Sequence, residues 1–155
     1  MSLSIILIDQ YGVLSERLIN KILVCIQKDF EIKEVREIEL HIIDDIKMKE
    51  INYRYRGIND TTDVLSFSFA EQKDHLNDKF ILPNKTKNKL LGQIFVSHDQ
   101  IRKQAKLAGI DAEIQAIRLF VHGLLHLLGF DHQNDSQESK MKKYEKKIIN
   151  NILCR

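Results

Sequence analysis

The stretch LFVHGLLHLLGFDH, residues 119–132, decides how this chain is read. His122 and His126 are four residues apart, so on a helix both imidazoles leave one face about one turn apart. That geometry lets two ring nitrogens reach one ion at ~2.0–2.1 Å. Gly129 then breaks the helix and permits a sharp turn that brings His132 back. Three neutral imidazoles and an open water position make a catalytic zinc site. Three of the six histidines fall within these eleven residues, 122–132. Ordinary histidines in so apolar a segment would be buried at the cost of several hydrogen bonds. No fourth protein ligand suggests itself, which favours an open, catalytic site over a closed, structural one.

Outward from that helix, the pattern alternates strands and helices. Ser4 to Ile8 is an Ile-rich run that reads as a buried strand. Glu16 to Phe30 carries Ile19, Ile22, Leu23, Ile26 and Phe30 at helical spacing behind a Ser15 cap. Glu37 to Ile43 alternates as a half-buried strand, and Asp44 or Asp45 then caps a helix to about Tyr55. Asp63 to Phe69 and Leu90 to Ser97 read as two further strands. Between them, Ala70 to Lys89 is a polar, lysine-rich excursion. Asp99 to Leu107 is helical and Gly109 ends it. Asp111 caps the helix that carries the histidines, which runs to about Leu128. A last helix lies within Asn134 to Ile152, starting at Asp135 or Ser136. The expected fold is α/β (α+β), with one four-stranded mixed sheet flanked by about five helices.

The chain has 155 residues, enough for one core and not two, so residues 1–155 are expected to form a single domain. Apolar residues at 43% and charged residues at 30% fit a globular chain and exclude a disordered one. A net charge of +2 excludes a uniformly basic nucleic-acid glove but not a local basic groove. Two cysteines, Cys25 and Cys154, make no disulfide framework and no Cys-x-x-Cys motif. The N-terminus shows no signal-peptide pattern. The most apolar run, Leu119 to Phe130, is shorter than the ~20 residues a bilayer demands. The expectation is a cytoplasmic protein with no membrane partner.

The spacing of the three histidines and Gly129 equals that of the metzincin proteases. Those enzymes carry a glutamate after the first histidine as general base. Here that position is Gly123, so the protease base is missing. The whole string H-G-x-L-H-L-x-G-[FY]-D-H instead resembles the YbeY family of bacterial endoribonucleases. Ile51-Asn52-Tyr53-Arg54-Tyr55-Arg56-Gly57 and Thr62-Asp63-Val64-Leu65-Ser66-Phe67 resemble that family's upstream block. Leu91-Gly92-Gln93-Ile94 resembles one of its strands, and Met141, Tyr144 and Glu145 sit in a terminal helix of the expected kind. The likeness covers about Asn52 to Glu145. Thr61 and Ser68 stand where the family tends to have proline. Gln93 replaces an aspartate, which removes a carboxylate that could have served near the site.

The resemblance implies a zinc-dependent, single-strand-specific endoribonuclease holding one Zn2+ on His122, His126 and His132. It also implies work on the small ribosomal subunit, in 16S rRNA 3′-end maturation and ribosome quality control, with a small-subunit ribosomal protein as a further partner. A zinc metallopeptidase-like hydrolase and a non-catalytic ribosome-assembly factor are the competing readings. Arg56 is the candidate catalytic residue, because a guanidinium fork suits the charge that develops on phosphate. It matches the family's functional arginine; on the residues alone, a solvated surface arginine is equally good. Asp131 has three roles open to it: orienting a ligand histidine, accepting a proton from a zinc-bound water, or capping the turn. For Asp63 and Ser66, sheet and turn hydrogen bonding competes with catalysis. His41, His75 and His98 read as caps or surface residues. Lys85, Lys87, Lys89 and the lysines of the last helix are solvated faces or phosphate contacts.

Overall fold

The computed structural model describes residues 3–30, 36–69, 90–130 and 134–153. Among these described residues nine elements follow one another: β1 (Leu3–Asp9), α1 (Glu16–Asp29), β2 (Arg36–Ile43), α2 (Asp45–Arg56), β3 (Val64–Ser68), β4 (Leu90–Ser97), α3 (His98–Ala108), α4 (Ala112–Leu127) and α5 (Asp135–Leu153). The sheet order is β1-β2-β4-β3. The first three of these run parallel, and β3 lies antiparallel to β4 at the edge. This is the mixed four-stranded sheet with five helices that the sequence predicts.

Period-two alternation divides the sheet into two faces. Ile38, Leu40, Ile42, Ile94 and Val96 join Ile22, Ile26, Ile117, Phe120, Val121 and Leu124 in the main core. That face is covered by α1, α3 and α4, and α5 packs on α1 and α4. The opposite face holds a smaller cluster in which Met48 and Ile51 of α2 pack on Leu65, Phe67 and Phe95. Among the described residues α2 is the one helix on that face and leaves part of it open, and β1 is the edge strand farthest from β3. Ile6 and Ile8 therefore stand 38% and 46% exposed. The reading of β1 as a buried strand holds for one face only.

Helix ends follow local chemistry. Ser15 accepts from the Leu18 N–H and Asp44, not Asp45, from the Lys47 N–H. Gly57 and Gly109 close α2 and α3 in the left-handed conformation. Asp111 occupies the N-cap of α4, but its side chain makes no capping bond. His98 opens α3 behind the true cap, Ser97, and stacks on Tyr11 with ring centroids 4.0 Å apart. His41 is not a simple surface residue: its Nε2 lies 2.9 Å from Glu39, and its ring stacks on Phe95.

Glu39 and Gln93 are buried on the α2 face of the sheet, with the Gln93 amide donating to Glu39 at 2.7 Å. Burial works against the charged Glu39, but the bonds from His41 and Gln93 outweigh it and hold the carboxyl below its usual range. Since Gln93 faces away from α4, an acid at that position would have lain on the wrong side of the sheet to serve the histidines. Among the described residues, no helix is long and apolar enough to cross a membrane.

Candidate active site

The site is built where α4 crosses the edge of the sheet. Ser66 of β3 donates its hydroxyl to the Gly123 carbonyl at 3.0 Å. A Cβ at Gly123 would lie 2.8 Å from that hydroxyl, 3.0 Å from Ile94 Cγ2 and 3.3 Å from Val64 Cγ2. Glycine is thus required for α4 to approach so closely. The residue after the first histidine points into the sheet, and the structure has no space there for a protease's glutamate.

With Gly123 turned inward, His122 and His126 are half-buried along one flank of α4. Their Nε2 atoms face each other at 3.2 Å. Each Nδ1 is engaged behind it: His122 Nδ1 with Glu145 Oε1 of α5 at 2.6 Å, and His126 Nδ1 with the Phe130 carbonyl at 3.1 Å. A carbonyl and a carboxylate only accept, so both Nδ1 atoms carry the proton. In neutral rings both Nε2 lone pairs then converge. Lone pairs held so close repel unless a cation lies between them. Two bonds of ~2.05 Å at a near-tetrahedral angle span roughly 3.3 Å, so the pair fits a zinc-sized ion.

The turn beyond His126 is also specified. Gly129 has φ of 104°, and the Phe130 N–H returns to the Leu125 carbonyl at 3.0 Å. The Phe130 ring packs against Phe30 and Tyr144, with centroids 5.7 and 5.6 Å away. Tyr144 is in turn fixed by donating its hydroxyl to Asp29. This aromatic brace holds the Phe130 carbonyl against His126. Asp131 and His132 lie outside the described residues, as do His75, Lys85, Lys87 and Lys89.

A cleft of about 480 Å³ opens over the histidines, lined by Arg56, Asp63, Ser66, Ser68, His122 and His126 among others. Arg56 reaches it as the last residue of α2, directly before the Gly57 turn. The loop that follows is tied down twice. The buried Asn52 amide donates to the Asp60 carbonyl at 2.9 Å, and Thr61 donates to Asp45 at 3.0 Å. Asp45 also accepts from Ser97 at 2.6 Å and from Gln100. Its burial raises the carboxyl, but these bonds outweigh that and leave it lower than an ordinary aspartate. Asp63 lines the cleft, yet its oxygens accept from the Val64 N–H at 2.8 Å and the Gln104 amide at 3.1 Å. Asp63 and Ser66 are thereby both engaged in holding the strand.

Arg56 and Asp63, on either side of this tied loop, thus both line the cleft. Glu145 is the residue whose place at the site spacing does not reveal. It lies 23 positions beyond His122 on another helix, so no local periodicity links the two.

Two imidazoles whose Nε2 atoms converge and a guanidinium line one cleft at the edge of the sheet, a set of groups suited to a hydrolase, and comparison with known proteins places the chain among the endoribonucleases. The family model described as Endoribonuclease YbeY matches residues 10–153. An Endoribonuclease YbeY of Heliobacterium modesticaldum is 42% identical over 118 residues, covering 76% of this chain and 70% of the relative. Another, from Wolinella succinogenes, is 43% identical over 110 residues, covering 71% and 69%. The solution structure of TM1509 from Thermotoga maritima shares the fold, with a TM-score of 0.64 at 22% identity over 97% of this chain and 88% of that one. The class is that of the RNA-cleaving hydrolases. This chain belongs to the YbeY endoribonuclease family.

Proposed function

We propose that this chain is a zinc-dependent endoribonuclease that cuts single-stranded RNA in the cytoplasm, with the 3′ end of the 16S rRNA precursor on the small ribosomal subunit as its target. A small-subunit ribosomal protein is proposed as the partner that brings it there. The observation that carries the reading is the pair of Nε2 atoms 3.2 Å apart at the floor of a cleft shared with Arg56. His122, His126 and His132 would hold the ion. Zinc, when bound, supplies a water of lowered pKa and a Lewis acid toward a phosphoryl oxygen.

The protein's own groups do the rest. Glu145 and the Phe130 carbonyl keep both ring protons on Nδ1. Arg56 presents a planar donor fork where charge develops on the scissile phosphate. The tied loop 57–63 holds that arginine at the cleft wall. Asp131, beside the third ligand, is proposed as a proton acceptor or as an orienting group. Unstacked strands suit such a cleft, because their backbone can be drawn in without opening a helix. Gly123 weighs against the peptidase reading, since the position of a peptidase's base is packed against Ser66, Ile94 and Val64.

The test is zinc stoichiometry measured beside RNA cleavage for wild type and His126→Ala. One zinc per wild-type chain, with loss of both metal and cleavage in the variant, is the expected result. Full cleavage by the metal-free variant would refute the reading. Stoichiometric zinc with no cleavage by wild type would favour the assembly factor.

A further inference from the structure

We propose that Glu145 is the positioning residue of the metal centre: it fixes the His122 ring and strengthens its Nε2 as a ligand. The proposal rests on the zinc reading above. Helix α5 docks through Met141, Ile148 and Ile152, which are buried in the main core. Glu145 lies on the edge of that docked face, with its side chain only 22% exposed, and meets His122 Nδ1 at 2.6 Å. So short a contact is that of a charge-assisted hydrogen bond.

The two described ligands are supported unequally. His126 is backed by a neutral carbonyl four residues away on its own helix end. His122 is backed by a carboxylate from a different helix. A carboxylate behind an imidazole fixes its tautomer, stops the ring from turning over, and places more electron density on the far nitrogen. The His122 side chain is 35% exposed, so a half-buried carboxylate partner limits the turning of its ring. Lys142, three residues before Glu145 on α5, has its ammonium on Glu138 at 2.9 Å, while the Glu145 carboxylate lies against His122.

The experiment uses the full chain and zinc alone. Zinc affinity is measured by chelator competition for wild type, Glu145→Gln, Glu145→Ala and His126→Ala, with circular dichroism and a melt of each metal-free protein. Loss of a supporting partner of this kind weakens metal binding by roughly 10–100-fold. Glu145→Ala is expected at the upper end of that range and Glu145→Gln, which keeps shape and an acceptor but not charge, at the lower. The metal-free melting temperatures of wild type and Glu145→Gln should coincide, which a merely structural role would not give. If Glu145→Ala does not fold, the isosteric Gln variant decides. Wild-type affinity in the folded Glu145 variants would overturn the proposal while leaving the zinc reading intact. Failure of wild type to bind zinc, or wild-type affinity in His126→Ala, would overturn the zinc reading and this proposal with it.

Discussion

Gly123→Ala measures how closely α4 lies on the sheet. Two effects oppose each other. Alanine is the better helix former by about 1 kcal/mol. Against that, the new methyl group meets Ser66 Oγ at 2.8 Å, Ile94 Cγ2 at 3.0 Å and Val64 Cγ2 at 3.3 Å. The serine can rotate, but only by giving up its bond to the Gly123 carbonyl, worth about 1 kcal/mol. Ile94 and Val64 are β-branched and cannot turn aside cheaply. Ile94 is also fully buried in the centre of the sheet. Overpacking of this kind costs about 1–3 kcal/mol. The clash and the lost bond outweigh the helix gain, and the net expectation is a loss of about 2 kcal/mol, or roughly 4–8 °C in melting temperature for a chain this size. Urea unfolding followed by circular dichroism reads it directly. Ser66→Ala alone should cost about 1 kcal/mol, but less in the Gly123→Ala background, where it also removes the nearest clash. A Gly123→Ala protein as stable as wild type would show that α4 is free to move off the sheet, and the account of the missing protease base would fall with it.

Arg56→Ala should leave zinc binding and stability in place and abolish most RNA cleavage, with Arg56→Lys recovering only part because an ammonium lacks the fork; full cleavage by the alanine variant refutes the role. Asp45 is held below its ordinary value when folded, so its stabilising effect is complete above the unfolded value and fades as pH falls through the folded one. The stability gap between wild type and Asp45→Asn should therefore narrow on acidification below about pH 4, and a gap that widens there contradicts the bonding described. Glu39→Ala removes the acceptor of two bonds, from the Gln93 amide and from His41, and should cost about 1–3 kcal/mol in urea unfolding, whereas an unchanged midpoint would mean those bonds contribute nothing to stability.

Most of the architecture is legible locally. Each helix of the main core announces its buried face through apolar spacing, as Ile19, Ile22, Leu23 and Ile26 do in α1. The caps at Ser15, Gly57 and Gly109 stand where side-chain chemistry puts them. What sequence does not carry is which face of a strand is covered. Ile6 and Ile8 are as apolar as Ile38 and Ile42, yet they stand on the face where, among the described residues, only α2 packs, and they are exposed. Nor does the sequence show that position 93 lies on the opposite surface of the sheet from the histidines, where the carboxylate that Gln93 replaces could not have served them. Within the site, the pair His122 and His126 is visible because the helical period joins them. Glu145 is not visible as a partner, because its distance from His122 is bridged by tertiary docking rather than by period. For Asp63 the sequence leaves hydrogen bonding and catalysis as equal alternatives, and only the fold shows its oxygens accepting from Val64 and Gln104.

The 23-residue separation between His122 and Glu145 has a bearing on biosynthesis. A ribosome adds about 5–20 residues per second, so the carboxylate is made roughly one to five seconds after the imidazole it supports. During that interval α4 has its histidines but not the group proposed to raise their hold on zinc. On the proposed zinc reading, firm binding of the ion then depends on completion of α5 and not of α4 alone. Chains cut short before Glu145 would compete poorly for a scarce metal, and the cell's zinc would be kept for molecules whose last helix has docked.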